Sequence, residues 1–209
     1  MSTRHPYDPP GHRVTSRRTG RPRPADAAVL ALSGLLALAS APAAAVLPVG
    51  APAPAIRTQA ALAGEVQDFV LADALAKGPV VLYFYPKAFT HGCTIEAQQF
   101  AEATDDFAAL GARVVGVSTD DIDTLKRFSL SACQSRFAVA ADPDLKIIDA
   151  YDARLASRPT IANRVSYVIT PDRRILLEYT SMQPDQHVER TLRALREWAA
   201  RGAAASPSK

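Results

Sequence analysis

Cys93 stands where an apolar strand hands over to a helix. The run Val80-Val81-Leu82-Tyr83-Phe84-Tyr85 is continuously apolar and bounded by Gly78-Pro79 and Pro86, which predicts a strand buried on both faces. Thr94-Ile95-Glu96-Ala97-Gln98-Gln99-Phe100-Ala101 then sets up a helical pattern. A sulfur in the first turn of that helix faces unpaired backbone N–H groups and the positive end of the helix dipole, and both favour thiolate over thiol. For cysteines in general this raises the thiolate fraction at neutral pH by at most about thirtyfold, or about 2 kcal/mol. Nucleophilic catalysis needs further groups that polarise the electrophile in the transition state. Thr90, three residues before Cys93, can bring a hydroxyl to the sulfur and to the atom under attack. Pro86 shapes and shields the loop without adding a competing N–H.

The spacing Pro86-x-x-x-Thr90-x-x-Cys93, followed by Glu96, resembles the active-site signature of the peroxiredoxins. The run YFYPKAFTHGCTIEA is most similar to the bacterioferritin-comigratory (Q-type) branch of that family. His91 departs from the branch, which usually has proline there. Without Cys or His neighbours at ligand spacing it reads as a partly exposed loop residue beside the thiolate, not as a metal ligand. Arg164-x-Ser-Tyr-Val-Ile is similar to the peroxiredoxin strand that brings an arginine to the nucleophile. A guanidinium stays charged and presents fixed donors to a thiolate and to a peroxide oxygen. Read alone, an arginine at a strand edge is a solvated residue, and Arg158, Arg173 and Arg174 compete with it; the resemblance selects Arg164.

The two cysteines of an exported chain could form a permanent staple. The resemblance implies a pair that cycles. In many members of the branch the resolving cysteine lies five residues after the nucleophile, where this chain has Gln98, whereas others use a cysteine in the next helix, which Cys133 resembles by location. The implied activity is reduction of hydrogen peroxide or organic hydroperoxides by Cys93, with a sulfenic acid that condenses with Cys133 and a thioredoxin-like dithiol as reductant. Thr90 and Arg164 then hold the peroxide, Pro86 shapes the pocket and Glu96 orients Arg164; no metal or organic cofactor is needed. Two other functions suit the same fold. A thiol-disulfide oxidoreductase or copper-delivery protein would carry a close cysteine pair, absent from Gly92-Cys93-Thr94-Ile95-Glu96. A non-enzymatic redox-sensing module would keep the pair as a structural disulfide.

The elements that must position these residues fit in one ordinary domain. The 209 residues are 48% hydrophobic, enough for a buried core, and carry a formal charge of +3. Six arginines against two aspartates give residues 1–45 a charge of +4, leaving −1 for the rest. Basicity belongs to the leader, and a nucleic-acid partner is not expected. Within the leader an Arg- and Pro-rich segment precedes the apolar stretch Ala27 to Ala41 and the small residues Ala43-Ala44-Ala45. This is the layout of a signal peptide, or of an uncleaved N-terminal anchor, and it implies export. Residues 46–202 form the expected domain, 203–209 a flexible tail, and the chain is expected to be a monomer or weak homodimer.

Leu47 to Ala55, with three prolines, predicts an extended lead-in, and its Gly50-x-x-Ala53-Pro54 is similar to the way peroxiredoxins begin. A short strand is expected over Gln67 to Leu71, a turn over Asp73 to Gly78, and one helix from Cys93 to about Leu110, capped by Gly111. Arg113 to Ser118 and Phe137 to Ala140 read as strands; between them a helix opens at the acidic Asp120-Asp121-Ile122-Asp123 and runs towards Cys133. Asp142 with Pro143 predicts the start of another helix. Val165 to Ile169 and Arg174 to Tyr179 read as a β-hairpin, and Asp185 to Ala200 as the last helix. Alternating strands and helices closed by a hairpin and a helix predict an α/β thioredoxin-like fold with a mixed central sheet flanked by helices.

Overall fold

The computed structural model describes residues 46–205, so the expected leader lies outside the described residues. The chain enters as the extended lead-in and forms a hairpin from β1 (Arg57–Leu62) and β2 (Glu65–Val70). Ala63 and Gly64 turn it with φ of 50° and 81°, the pair of left-handed residues that a tight hairpin requires. β1 was not legible beforehand, because in Arg-Thr-Gln-Ala-Ala-Leu only Thr58 belongs to the β-branched and aromatic residues that mark strands. The expected turn after β2 is instead a short helix, α1 (Leu71–Leu75), which buries Leu71 and Leu75.

Every residue of β3 (Val80–Phe84) is buried. It runs parallel to β4 (Arg113–Ser118), which in turn runs parallel to β5 (Ala138–Ala141), and antiparallel to β6 (Val165–Ile169). With β7 (Ile175–Thr180) the strands form one mixed sheet in the order β2-β1-β5-β4-β3-β6-β7. The lead-in closes onto the far end through a bridge between Pro52 and Arg174.

Alternation along β3 sends its side chains into two cores. Val81, Tyr83 and Tyr85 pack with α2 (His91–Glu102), α3 (Thr104–Ala109), α4 (Ile122–Leu130) and α6 (His187–Ala205). Val80, Leu82 and Phe84 pack with α1 and α5 (Lys146–Ala150) on the opposite face. Each fully buried apolar side chain of this kind contributes about 1.5–3 kcal/mol, so the strand that delivers Cys93 is firmly anchored, as is β6, which follows Arg164 and is buried at every residue. Gly116 on β4 makes room for the Tyr83 ring, since a Cβ there would lie 2.8 Å from the ring carbon nearest the hydroxyl.

Three helix boundaries differ from the sequence expectation. The helix expected to run to about Leu110 breaks at Ala103 into α2 and α3, where the Thr104 hydroxyl donates back to the Phe100 carbonyl at 3.1 Å. Pro143 is not the first residue of α5: Leu145 takes a left-handed conformation, and the Asp142 carboxylate reaches forward to accept from the Ile147 and Ile148 amides at 2.9 and 2.8 Å. The last helix begins after a 3-10 turn (Pro184–Gln186) and continues through Ala205, past the expected end at Ala200. No helix among the described residues is long and apolar enough to cross a membrane.

Candidate active site

Cys93 lies in the first turn of α2 and is 1% exposed. The first helical bond near it runs from the Thr94 amide to the Thr90 carbonyl at 2.9 Å, so the amides of His91, Gly92 and Cys93 precede the intrahelical ladder. The Arg164 guanidinium lies beside the sulfur, with Nη2 donating to Cys93 Sγ at 3.4 Å. It is held on two more sides: Nε donates to the Met182 carbonyl at 3.1 Å, and Nη1 donates to Glu96 Oε2. Arg164 and Glu96 are both buried, so this charge-assisted pair is shielded from solvent. Burial works against the guanidinium charge, but Glu96 and Cys93 outweigh it and hold the Arg164 pKa above its ordinary value. Burial pushes the Glu96 carboxyl upward, against the opposing pull of Arg164.

Pro86 is buried at the end of β3, and the loop after it is pinned by a residue that sequence reasoning had assigned only to a helix start. Asp120 Oδ2 accepts from the Ala88 amide at 2.7 Å and from the Ser118 hydroxyl at 2.9 Å, while Oδ1 pairs with Lys87 Nζ at 2.8 Å. The helix cap is its neighbour Asp121, which accepts from the Thr124 amide at 2.8 Å. Phe89, with φ of 64° and its ring edge on Phe128, completes the loop as a half-exposed rim. Thr90 is exposed, and its hydroxyl donates to the Lys87 carbonyl at 2.8 Å; the expected reach to the sulfur is replaced by this bond within the turn. His91 is exposed as the first residue of α2.

Cys133 follows α4 and is fully buried as a free thiol, in the same core as Cys93, Tyr83 and Tyr85. Burial pushes its pKa far above the ordinary thiol range, which disfavours the thiolate where it lies. Directly after it, Gln134 and Ser135 both adopt left-handed conformations, with φ of 49° and 58°. Two successive non-glycine residues in that region store about 1–2 kcal/mol each. A cavity of about 600 Å³ opens at the start of β4, lined by residues that include Phe69, Phe107, Arg113 and Arg136, and none of Cys93, Glu96 or Arg164 borders it.

A buried cysteine at a helix start, faced by a guanidinium held on three sides, gives this thioredoxin-like α/β sheet an arrangement suited to nucleophilic attack by sulfur. Residues 49–177 match the AhpC/TSA family, and the chain belongs to it. It is 34% identical over 118 residues to Peroxiredoxin Q, chloroplastic, of Populus jackii, covering 56% of this chain and 55% of that protein. It is 29% identical over 123 residues to Peroxiredoxin Bcp of Bacillus subtilis, covering 56% and 78%. The chain thus spans little more than half the length of the plant relative. The crystal structure of Peroxidoxin BcpB from Mycobacterium tuberculosis aligns with a TM-score of 0.66 at 27% identity, over 72% of this chain and 97% of that one.

Proposed function

We propose that this chain is a thiol-dependent peroxidase of the Q-type branch, reducing hydrogen peroxide and organic hydroperoxides. The observation that carries the reading is Arg164 Nη2 at 3.4 Å from the Cys93 sulfur, with the guanidinium locked by Glu96 and the Met182 carbonyl. The Cys93 thiolate attacks one peroxide oxygen, the O–O bond breaks, and the departing oxygen leaves as alcohol or water after taking up a proton. Sulfur is oxidised to sulfenic acid as the peroxide is reduced. Arg164 stabilises charge on both the attacking sulfur and the peroxide oxygens in a water-poor site, where fixed donors are worth most. Thr90 can serve only if its hydroxyl leaves the Lys87 carbonyl when peroxide arrives.

In the second half-reaction the Cys133 thiol condenses with the sulfenic acid, releasing water and forming a Cys93–Cys133 disulfide. A thioredoxin-like dithiol then reduces it by thiol-disulfide exchange. Burial of Cys133 and the strained Gln134-Ser135 pair support a step in which this segment opens before the disulfide forms. Export from the cytoplasm and a monomeric or weakly dimeric state complete the reading, supported by the leader's sequence pattern and by the self-contained site. The test is peroxide consumption with a dithiol donor: the intact protein turns over, and Cys93→Ser, still folded, does not. Turnover by Cys93→Ser overturns the assignment.

A further inference from the structure

Glu96 uses only one of its carboxylate oxygens with Arg164. Oε2 accepts from the guanidinium, whereas the buried Oε1 has no hydrogen-bond partner among the described residues. Facing Oε1 at 3.6 Å is Nδ1 of His187, the first residue of α6, and both side chains are fully buried. The other ring nitrogen, Nε2, lies 2.9 Å from the Ser181 carbonyl, which can only accept, so Nε2 carries a proton. Nδ1 also lies 2.8 Å from Ser166 Oγ. In a neutral ring of this tautomer Nδ1 is a lone pair that the Ser166 hydroxyl can satisfy; it offers no donor to Oε1, so an ionised Glu96 would keep Oε1 as a buried acceptor without a partner, facing a second acceptor. A buried acceptor left without a donor costs free energy, and a proton on Oε1 removes that cost.

We propose that Glu96 and His187 hold one proton between Oε1 and Nδ1, and that His187 is thereby a positioning residue that sets how much of the Arg164 charge is left for Cys93. With the proton on Oε1, Glu96 is neutral, its Oε2 still accepts from Arg164 as a carbonyl oxygen, and the guanidinium charge faces the sulfur. When the proton passes to Nδ1, or is lost at higher pH, the carboxylate neutralises Arg164 and the Cys93 thiolate loses its counter-charge. Only the proton moves; no bond between heavy atoms forms or breaks. The groups around the imidazole are Glu96 from α2, Arg164 ahead of β6, Tyr179 of β7 edge-on at 4.8 Å, and Asp185 in the 3-10 turn. Arg190 of α6 lies over the Tyr179 ring, 5.3 Å from its centre. Burial and then Arg164 oppose a charge on His187, while burial raises the Glu96 carboxyl, so both preferences place the proton on Glu96.

Alkylation by iodoacetamide across the pH range, in a Cys133→Ser background where Cys93 is the sole thiol, reads the effect without peroxide. A shared proton gives a two-step profile of rate against pH. In His187→Gln an amide N–H donates to Oε1 and fixes the carboxylate, so the profile becomes single-step and alkylation near pH 7 slows by about threefold or more, equivalent to half a pKa unit. A folded His187→Gln variant with the parent's profile overturns the proposal. Should that variant not fold, infrared spectra of the unsubstituted protein labelled with ¹³C-glutamate decide: a protonated carboxyl band near neutral pH supports the shared proton, and its absence contradicts it. Neither readout uses peroxide turnover, so a failure of the peroxidase reading, on which the role assigned to Cys93 rests, is told apart from a failure of this one.

Discussion

Gly92 leaves the space through which Arg164 reaches Cys93: a Cβ on Gly92 would lie 3.1 Å from Arg164 Nη2, the nitrogen that donates to the sulfur. Gly92→Ala keeps an ordinary helical backbone, since this glycine does not need a positive φ, and its added methyl pushes against the guanidinium. The expected result is a slower second-order reaction with peroxide, by about tenfold, the effect of about 1.4 kcal/mol in the transition state, with little change in melting temperature. Stopped-flow peroxide oxidation alongside thermal melting checks it; an unchanged rate means that Arg164 contributes nothing through Nη2.

Asp120 carries the Cys93 loop from a different strand end. Asp120→Ala leaves the buried Ala88 amide and Ser118 hydroxyl without their shared acceptor and removes the partner of Lys87. Denaturant unfolding is expected to show a loss of about 1–3 kcal/mol, and the peroxide reaction slows because Pro86 to Thr90 loses its anchor. Asp120→Asn, which keeps one acceptor oxygen, should recover part of both losses.

The strain after Cys133 gives a prediction of opposite sign for stability and turnover. Glycine tolerates the left-handed conformation of Gln134 and Ser135 without the Cβ penalty, so Gln134→Gly with Ser135→Gly stabilises the closed segment by about 1 kcal/mol after the glycines' own entropy cost. Conversion of sulfenic acid to disulfide, followed by rapid chemical quenching, should slow several-fold because opening becomes harder. Faster disulfide formation would show that strain at Gln134 and Ser135 does not favour opening of the segment.

The buried couple of Glu96 and His187 also shapes stability against pH. Burial lowers His187 from 6.5 to about 4, so the unfolded chain takes up a proton that the folded one refuses, and stability falls as pH drops from about 6.5 through 4. Burial raises Glu96 from 4.5 to about 8, so the unfolded chain releases a proton that the folded one keeps, and stability falls as pH rises from about 4.5 through 8. Between about 4.5 and 6.5 the two slopes oppose each other. Denaturant midpoints should therefore form a plateau there, with His187→Gln removing the acid-side decline and Glu96→Gln the alkaline-side one.

Much of this site was legible because its parts are local in sequence. The apolar run of β3, the loop from Pro86 and the helix start at Cys93 follow one another, so hydrophobic pattern and spacing locate Cys93 at the strand-to-helix junction. Arg164, 71 positions away, could be chosen over its neighbours only through resemblance, and the structure places it on the sulfur. His187, Ser166, Asp120 and the Met182 carbonyl were missed, because their roles depend on which strand ends the sheet order β5-β4-β3-β6-β7 brings together. Asp120 did carry a signal, as one acidic residue more than a helix cap needs. The Thr90 hydroxyl turns to the Lys87 carbonyl for a simpler reason: at a helix start a hydroxyl has carbonyls of its own turn within reach.

The central claim is that Cys93 is the sulfur that peroxide oxidises. One equivalent of peroxide added to reduced Cys133→Ser protein in the presence of dimedone, followed by peptide mass spectrometry, tests it most directly. The prediction is a single adduct on Cys93, formed much more slowly in the Arg164→Lys variant, because an ammonium cannot reproduce the guanidinium fork. An unmodified Cys93 after the peroxide has been consumed would contradict the account.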